Sequence, residues 1–315
     1  MSFFDSGHET AFRLFNGFAE GYPDLVADLY SRTLILYNYS NPPEDGRPAI
    51  QAAKRYFLEL FPWLKAIIVK TRKAANPQDR RGRLIHGDAP DRLVKEAGVL
   101  YAVDLMMNQD SSFYLDTREL RAWAIQNLAG KRVLNTFAYT GSLGVAALAG
   151  GASSLVQLDK SRKFLKLAEL SYELNGLPSS QANTIVGDYY SVTRGYRLEG
   201  RHFDCVFLDP PYFSTTTKGK IDLAGNFDSV LNKVRPLVAQ DGILVAINNA
   251  IYVSGADYFS WLERLCSDGY LSIESLIPVP LDITGYPETI KCQPPVNPAP
   301  FNHSTKIALL RISRK

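Results

Sequence analysis

From about Ser111 to the C-terminus, short apolar runs of strand length alternate with longer segments of helical periodicity. This alternation restricts the chain more than any other feature, because strands joined through helices return to the same edge of a sheet and lie parallel, with the helices covering both faces. The predicted order is a helix over Thr117 to Leu128, strand RVLNTFA, helix SLGVAALAGG, strand SLVQLD, and helix SRKFLKLAELSYELNG ending on Asn175 and Gly176. There follow strand ANTIVGD, a helical or looped segment around Tyr190 to Glu199, strand FDCVFLD, a Pro-led loop PPYFSTTTKGK, a helix through Phe227 to Leu237 and strand GILVAIN. Helix DYFSWLERLCSDG and strands SIESLIPVP and KIALLRI close the sheet. Residues 111–315 therefore read as a doubly wound, mostly parallel α/β domain, long enough to bury a core of its own.

Residues 1–110 have a different texture. They mix FRLFNGFAEGYPDLVADLY, the β-rich RTLILYNY, the amphipathic AIQAAKRYFLELFPWL, the apolar AIIVKT and a polar stretch from Asn76 to Asp91, which together suggest a small α+β domain. Its charge is uneven. Lys65, Lys70, Arg72, Lys73, Arg80, Arg81 and Arg83 face a single acid, Asp79, over that span, whereas the first 53 residues carry three basic and seven acidic side chains. Such a stretch is either a phosphate-contacting face or a solvated charge run. The net charge of +3 does not choose between them.

In an open parallel sheet, ligands bind outside the carboxyl ends of the strands, so the strand-end residues are the candidates for chemistry. Asn135 to Gly141 forms the first such turn; Gly141 would let a ligand approach the backbone, and the following helix presents free amides. Asp159, ending the second strand about 20 residues after that turn begins, suits ribose hydroxyls or an N-cap for the next helix. Asp188 could accept from an adenine amino group or cap the segment after it. Asp209-Pro210-Pro211-Tyr212-Phe213 is the sharpest element: two prolines remove donors and stiffen the turn, which either holds a carboxyl group and an aromatic ring suited to a planar base or is only a structural turn.

The run NTFAYTGSLGVAALAGGA, the flanking LDKS and ELNGL, GDYYS and FDCVFLDPPYFS resemble the bacterial 23S ribosomal RNA methyltransferases of the large-subunit class. Phe113 to Arg118 with Arg121 is similar to that group's F-x-L-D-x-R-x-x-R segment, and FRLFNGFAEGYPDLVADLY to the start of its small central domain. The resemblance implies a seven-stranded sheet with an antiparallel member near its end. It also implies S-adenosylmethionine as cofactor, held by Asp116, Arg118, Asn135, Phe137, Tyr139, Thr140, Gly141, Asp159, Lys160, Ser161, Asp188, Tyr189 and Asp209. The acceptor side would fall to Asp209, Pro210, Pro211, Tyr212 and Asn249, with ribosomal RNA as partner. The RNA-binding PUA domain carried at the N-terminus of many 5-methylcytosine members is expected to be missing.

One departure bears on the acceptor. The 5-methylcytosine members place a cysteine in the turn after the strand corresponding to GILVAI, where this chain has Asn248 and Asn249, as the guanine-N7 methylating member does. Cytosine C5 needs a thiolate to add to the ring before it can be methylated, whereas guanine N7 already carries an in-plane lone pair. The paired asparagines could also only cap their turn. Two other readings compete: a methyltransferase for a protein or small-molecule nitrogen, and a non-catalytic RNA-binding assembly protein retaining the fold. Cys205, Cys266 and Cys292 form no C-x-x-C pair, so no metal site is expected. Nothing in the sequence reads as an export signal or a membrane span, which leads to an expectation of a cytoplasmic protein.

Overall fold

The computed structural model describes residues 6–216, 219–223, 225 and 227–313, and the chain divides into two compact units. One comprises residues 1–115 with 280–293, the other residues 116–279 with 294–315.

The first unit is built on β1 (Ala11–Phe15), β2 (Leu25–Tyr30), β3 (Thr33–Asn38), α1 (Arg47–Leu60), β4 (Ala66–Thr71), α2 (Pro77–Arg81) and β5 (Arg83–His86). The five strands form one sheet in sequence order, and only the β3–β4 pair, joined through α1, is parallel. Ile50, Ala53 and Phe57 of α1, spaced three and four residues apart, bury one helix face against Leu34, Leu36 and Ile67 of the sheet. A separate hairpin of β6 (Leu93–Glu96) and β7 (Val99–Ala102) follows.

The basic stretch is only partly a surface feature. Lys70 is fully buried, and its ammonium donates to the carbonyls of Asn108 and Asp110, both at 2.7 Å, while burial pulls its pKa down to about 7. Arg72 donates to the Gln109 carbonyl and pairs with Asp110 at 3.0 Å, Lys65 pairs with Asp91, and Arg80 donates to the Ala74 carbonyl. Four of the seven cations thus brace the unit's own loops. Lys73, Arg81 and Arg83 are exposed, and Lys73 and Arg83 line a cavity of about 680 Å³ that also holds Arg47, Glu44 and Asp79.

The second unit begins with α3 (Arg118–Asn127), β8 (Arg132–Thr136), α4 (Ser142–Ala149), β9 (Ser154–Asp159), α5 (Arg162–Leu174), β10 (Ala182–Val186), α6 (Tyr189–Leu198) and β11 (Phe203–Leu208). It continues with β12 (Phe213–Thr216), β13 (Gly219–Asp222), α7 (Phe227–Val234), β14 (Val238–Asn248), α8 (Gly255–Cys266), β15 (Leu271–Ile277) and β16 (Lys306–Ile312). The seven-stranded sheet runs β10-β9-β8-β11-β14-β16-β15, with β16 antiparallel to both its neighbours and the remaining pairs parallel. α4 is apolar on every side, with six of its eight residues buried, as its alanine-rich sequence requires. None of the helices among the described residues is long and apolar enough to cross a membrane.

Two expectations are corrected. The stretch after Pro211 is not a plain loop: β12 and β13 pair antiparallel, their Thr-containing strand having the β propensity that the leading prolines obscured. The α/β domain is also not continuous from Ser111 to the end, because residues 280–293 complete the first unit. There α9 (Leu281–Thr284) supplies the Asp282 carboxylate that accepts from the backbone N–H of Arg13 at 2.9 Å, and the Arg13 guanidinium in turn grips Asp28 at 2.7 and 3.1 Å.

Candidate active site

The parallel strands β8, β9, β10, β11 and β14 deliver their carboxyl ends to one edge of the second unit. The first turn there, after β8, is conformationally strained: Phe137 and Tyr139 have φ of 54° and 52°, and Gly141 has 79°. Non-glycine residues at such angles cost about 1 kcal/mol or more each and persist where surrounding structure fixes them, commonly at ligand sites. Here the fixing groups are visible. Asp159 Oδ2 accepts from the Tyr139 N–H at 2.9 Å, Phe137 packs on Tyr189 with ring centroids 4.5 Å apart, and Tyr139 meets the Phe164 ring edge at 4.6 Å.

Beneath the turn lies a buried amide relay. Asn135 Nδ2 donates to Gln157 Oε1 at 2.7 Å, and Gln157 Nε2 donates to the Gly141 carbonyl and the Tyr172 hydroxyl, both at 2.9 Å. Asn135 is 2% exposed and braces the turn from below. The glycines of this turn and helix answer to the same relay: a Cβ at Gly141 would come within 2.5 Å of Gln157 and Ala168, and one at Gly144 within 2.5 Å of Gln157. Gly141 is therefore required by its backbone angle and by packing against α5, where the sequence reading had it clear space for a ligand.

The acidic strand ends are disposed differently from one another. Asp159 ends β9 half-buried; it accepts from the N–H groups of Tyr139 and Ser161, yet burial outweighs these bonds and raises its pKa. Lys160 beside it is exposed, and Ser161 caps α5. Asp188 caps α6 through Oδ1, accepting from the Ser191 N–H, and lies 3.8 Å from the Lys160 ammonium. Tyr189 falls below this edge, in the core, its hydroxyl donating to the Val230 carbonyl at 2.7 Å. Its ring packs under Phe137 of the first turn, and its polar atom is already satisfied. Thr140 is buried within the turn.

Asp209 follows β11 directly. Burial pushes its pKa up to about 7, and the nearby charge of Asp116 adds to the rise. Asp116, just before α3, accepts at Oδ2 from the Thr305 hydroxyl at 2.7 Å. Arg118 opens α3 partly buried, and Arg121 is wholly buried and donates to the Thr117 hydroxyl. Two carboxyl groups close enough to interact thus stand at this edge, and the buried one resists ionisation. Beyond them Pro210 is buried, while Pro211 and Tyr212 are exposed.

The turn after β14 is tied to the same edge. Asn248 is buried: its Nδ2 donates to the Leu223 carbonyl at 3.3 Å and its Oδ1 accepts from the Ala250 N–H at 2.9 Å, so it caps its own turn. Asn249, next to it, is exposed. Lys306, entirely buried at the start of β16, donates to the Ala250 and Ser304 carbonyls at 3.0 and 2.5 Å, and burial lowers its pKa to about 8. Gln157, Thr305 and Lys306 were not anticipated from the sequence. A lone glutamine inside SLVQLD and a lysine opening an apolar strand were the signals that could have singled out two of them.

Cys205 is buried in β11 and its pKa is raised by desolvation; that of Cys266, on α8, is raised as well. Cys292 belongs to the first unit, where its backbone N–H donates to the Ala19 carbonyl. Among the described residues no group of three or more His, Cys, Asp or Glu side chains could hold a metal ion.

A family model of S-adenosylmethionine-dependent methyltransferases matches residues 13–265. The ribosomal RNA large subunit methyltransferase I of Photobacterium profundum is 32% identical over 238 residues, covering 75% of this chain and 60% of that protein. Its namesake in Aeromonas salmonicida is 31% identical over 264 residues, covering 83% and 65%. The chain thus spans about 60 to 65% of the length of these curated relatives. Among solved structures, a methyltransferase designated SMU.776, crystallised with SAH, superposes with a TM-score of 0.84 at 22% identity over 98% of this chain and 76% of that one, a likeness of fold.

Proposed function

The chain belongs to the S-adenosylmethionine-dependent methyltransferase family, and from that premise we propose that it methylates a base of ribosomal RNA, at a guanine nitrogen. The observation that carries the choice of acceptor is Asn249, exposed directly after β14, in the turn where the resemblance implies a cysteine for 5-methylcytosine members. Burial raises the pKa of the Cys205 and Cys266 thiols, which disfavours either as the nucleophile. The two curated relatives are ribosomal RNA methyltransferases by name, which supports the RNA acceptor.

The residues at the strand ends fit the cofactor. S-adenosylmethionine, when bound, supplies a methyl group on a positively charged sulfonium. Asp159 retains acceptor capacity for ribose hydroxyls beyond its two backbone bonds, because an ionised carboxylate offers about four lone-pair sites. Asp188 accepts from the Ser191 N–H through Oδ1 and lies with Oδ2 3.8 Å from the Lys160 ammonium, which leaves acceptor capacity for an adenine amino group. Asp209, whose pKa burial and the neighbouring Asp116 push up to about 7, would as a carboxylate complement the cofactor's cationic end. Tyr212, stiffened by Pro210 and Pro211, offers its ring to the acceptor base, and Asn249 offers amide hydrogen bonds to the base edge. A nitrogen lone pair needs alignment with the methyl carbon more than it needs chemical activation, and these residues supply alignment.

The deciding experiment is nucleoside mass spectrometry on ribosomal RNA from a strain lacking the gene, with and without incubation with the purified protein. Appearance of a methylated guanosine is the expected result. A covalent complex with RNA containing 5-azacytosine, lost in Cys292→Ser, would overturn the assignment in favour of cytosine C5.

A further inference from the structure

The turn that follows Asn249 is built against the usual chemistry of turns. Its closing bond runs from the Val253 N–H to the Ala250 carbonyl, so Ile251 and Tyr252 occupy the two tip positions, which ordinarily go to Gly, Asn, Asp, Pro or Ser. Instead the tip carries a branched aliphatic side chain 52% exposed and an aromatic ring 77% exposed. Neither contributes to the core, and both lose hydrophobic free energy by facing water.

The turn is nevertheless held firmly. The Ala250 carbonyl that closes it also accepts from the buried Lys306 ammonium, and Ala250 itself is fully buried and bonded to Asn248. A second chain of bonds reaches the neighbouring strand end: Asn248 donates to the Leu223 carbonyl, and the Leu223 N–H donates to the Tyr212 carbonyl at 3.1 Å. The two turns therefore rise side by side from adjacent parallel strands, β11 and β14, which are in register as far as Leu208 opposite Ala246. Tyr212 and Phe213, 49% and 55% exposed, stand on one; Ile251 and Tyr252 stand on the other, with Asn249 at its base.

We propose that the Ile251–Tyr252 turn is a stacking subsite for an unpaired base adjacent to the acceptor nucleotide, so that the enzyme takes its target from a single-stranded stretch of RNA. The inference rests on the RNA reading above. Aromatic and aliphatic side chains exposed on a braced turn beside the proposed base-accepting residues match how single-stranded RNA is bound, by stacking of splayed bases, and a duplex would keep those bases stacked on one another. With the Ala250 carbonyl already held by the buried lysine, the turn's backbone has little ordering left to do when a base lands on the ring.

The test is steady-state kinetics of methyl transfer to in vitro transcribed 23S ribosomal RNA by the full chain, comparing wild type, Tyr252→Ala and Tyr252→Phe, with S-adenosylmethionine affinity measured on each. Loss of one stacked base corresponds to roughly a tenfold rise in KM for RNA in Tyr252→Ala. Cofactor affinity should not change, and Tyr252→Phe, which keeps the ring, should restore the KM. An unchanged KM in Tyr252→Ala, with the wild type active on the transcript, would overturn the subsite and leave the turn as a contact for a protein. A wild type inactive on every ribosomal RNA offered would instead remove the RNA reading, and the subsite with it.

Discussion

The Asp116–Asp209 pair predicts a pH-dependent affinity for the cofactor. Without ligand, Asp209 titrates at about 7, raised first by burial and then by Asp116. A bound cation favours the carboxylate, and an opposite charge within a few ångströms lowers an acid's pKa by about 1 to 3 units. Affinity is therefore highest above pH 7, where Asp209 is already ionised, and falls as the pH drops through 7 and a proton must leave before the cation can bind. With one site, the apparent Kd rises about twofold at the pKa and about elevenfold one unit below it, close to 1.4 kcal/mol. The slope approaches one decade per pH unit until the pKa of the bound state is reached. Calorimetric titration of S-adenosylmethionine between about pH 6 and pH 8, in buffers of different ionisation enthalpy, reads both the affinity and the proton released. Asp209→Asn should bind weakly with no slope, and Asp116→Asn should move the window to lower pH. A flat profile in the wild type, or the same slope in Asp209→Asn, would refute the reasoning. The ligand-free fold responds with the opposite sign: an acid whose folded pKa lies above its unfolded value adds stability as the pH falls through 7, so Asp209→Asn should remove that component from the melting profile.

Three further outcomes follow from contacts already described. Gly144→Ala should lower stability by about 1 to 3 kcal/mol, because the new methyl group meets Gln157 at 2.5 Å, and chemical denaturation would register it. Asp159→Ala should weaken cofactor binding by roughly 1 to 3 kcal/mol in the same calorimetric assay, through lost ribose hydrogen bonds and the release of the Tyr139 turn. Replacing the exposed Arg81 and Arg83 with Ala should flatten the salt dependence of RNA binding by about two counterions and leave cofactor affinity as it was, whereas Lys70→Met should loosen residues 108–110, visible as faster amide exchange there.

The sequence and the structure agree where the controlling interactions are local. Asp159, Asp188 and Asp209 could be placed at strand ends because apolar runs stop at them and parallel connection puts such ends on one edge. Gln157 could not be assigned, since its partners are Asn135 across the sheet and Tyr172 on the next helix. Lys306 and Thr305 act on Ala250 and Asp116, residues 56 and 189 positions away, through an antiparallel pairing that no periodicity reveals. Lys70 was misread as surface charge for the same reason: its ligands are carbonyls 38 and 40 residues downstream.

The discontinuity of the first unit bears on synthesis. A chain leaving the ribosome presents β1 to β7 long before Asp282 exists, so the Arg13 backbone amide waits for its carboxylate until some 270 further residues have been translated. The strand sheet can form early, but its closure on α9 must wait until the whole of the Asp116–Val279 segment has emerged, with only residues 294–315 still to follow. A nascent chain stalled before residue 280 should therefore expose the β1 edge to proteases that the finished protein resists, and a circular permutant that brings residues 280–293 out early should shorten that exposure.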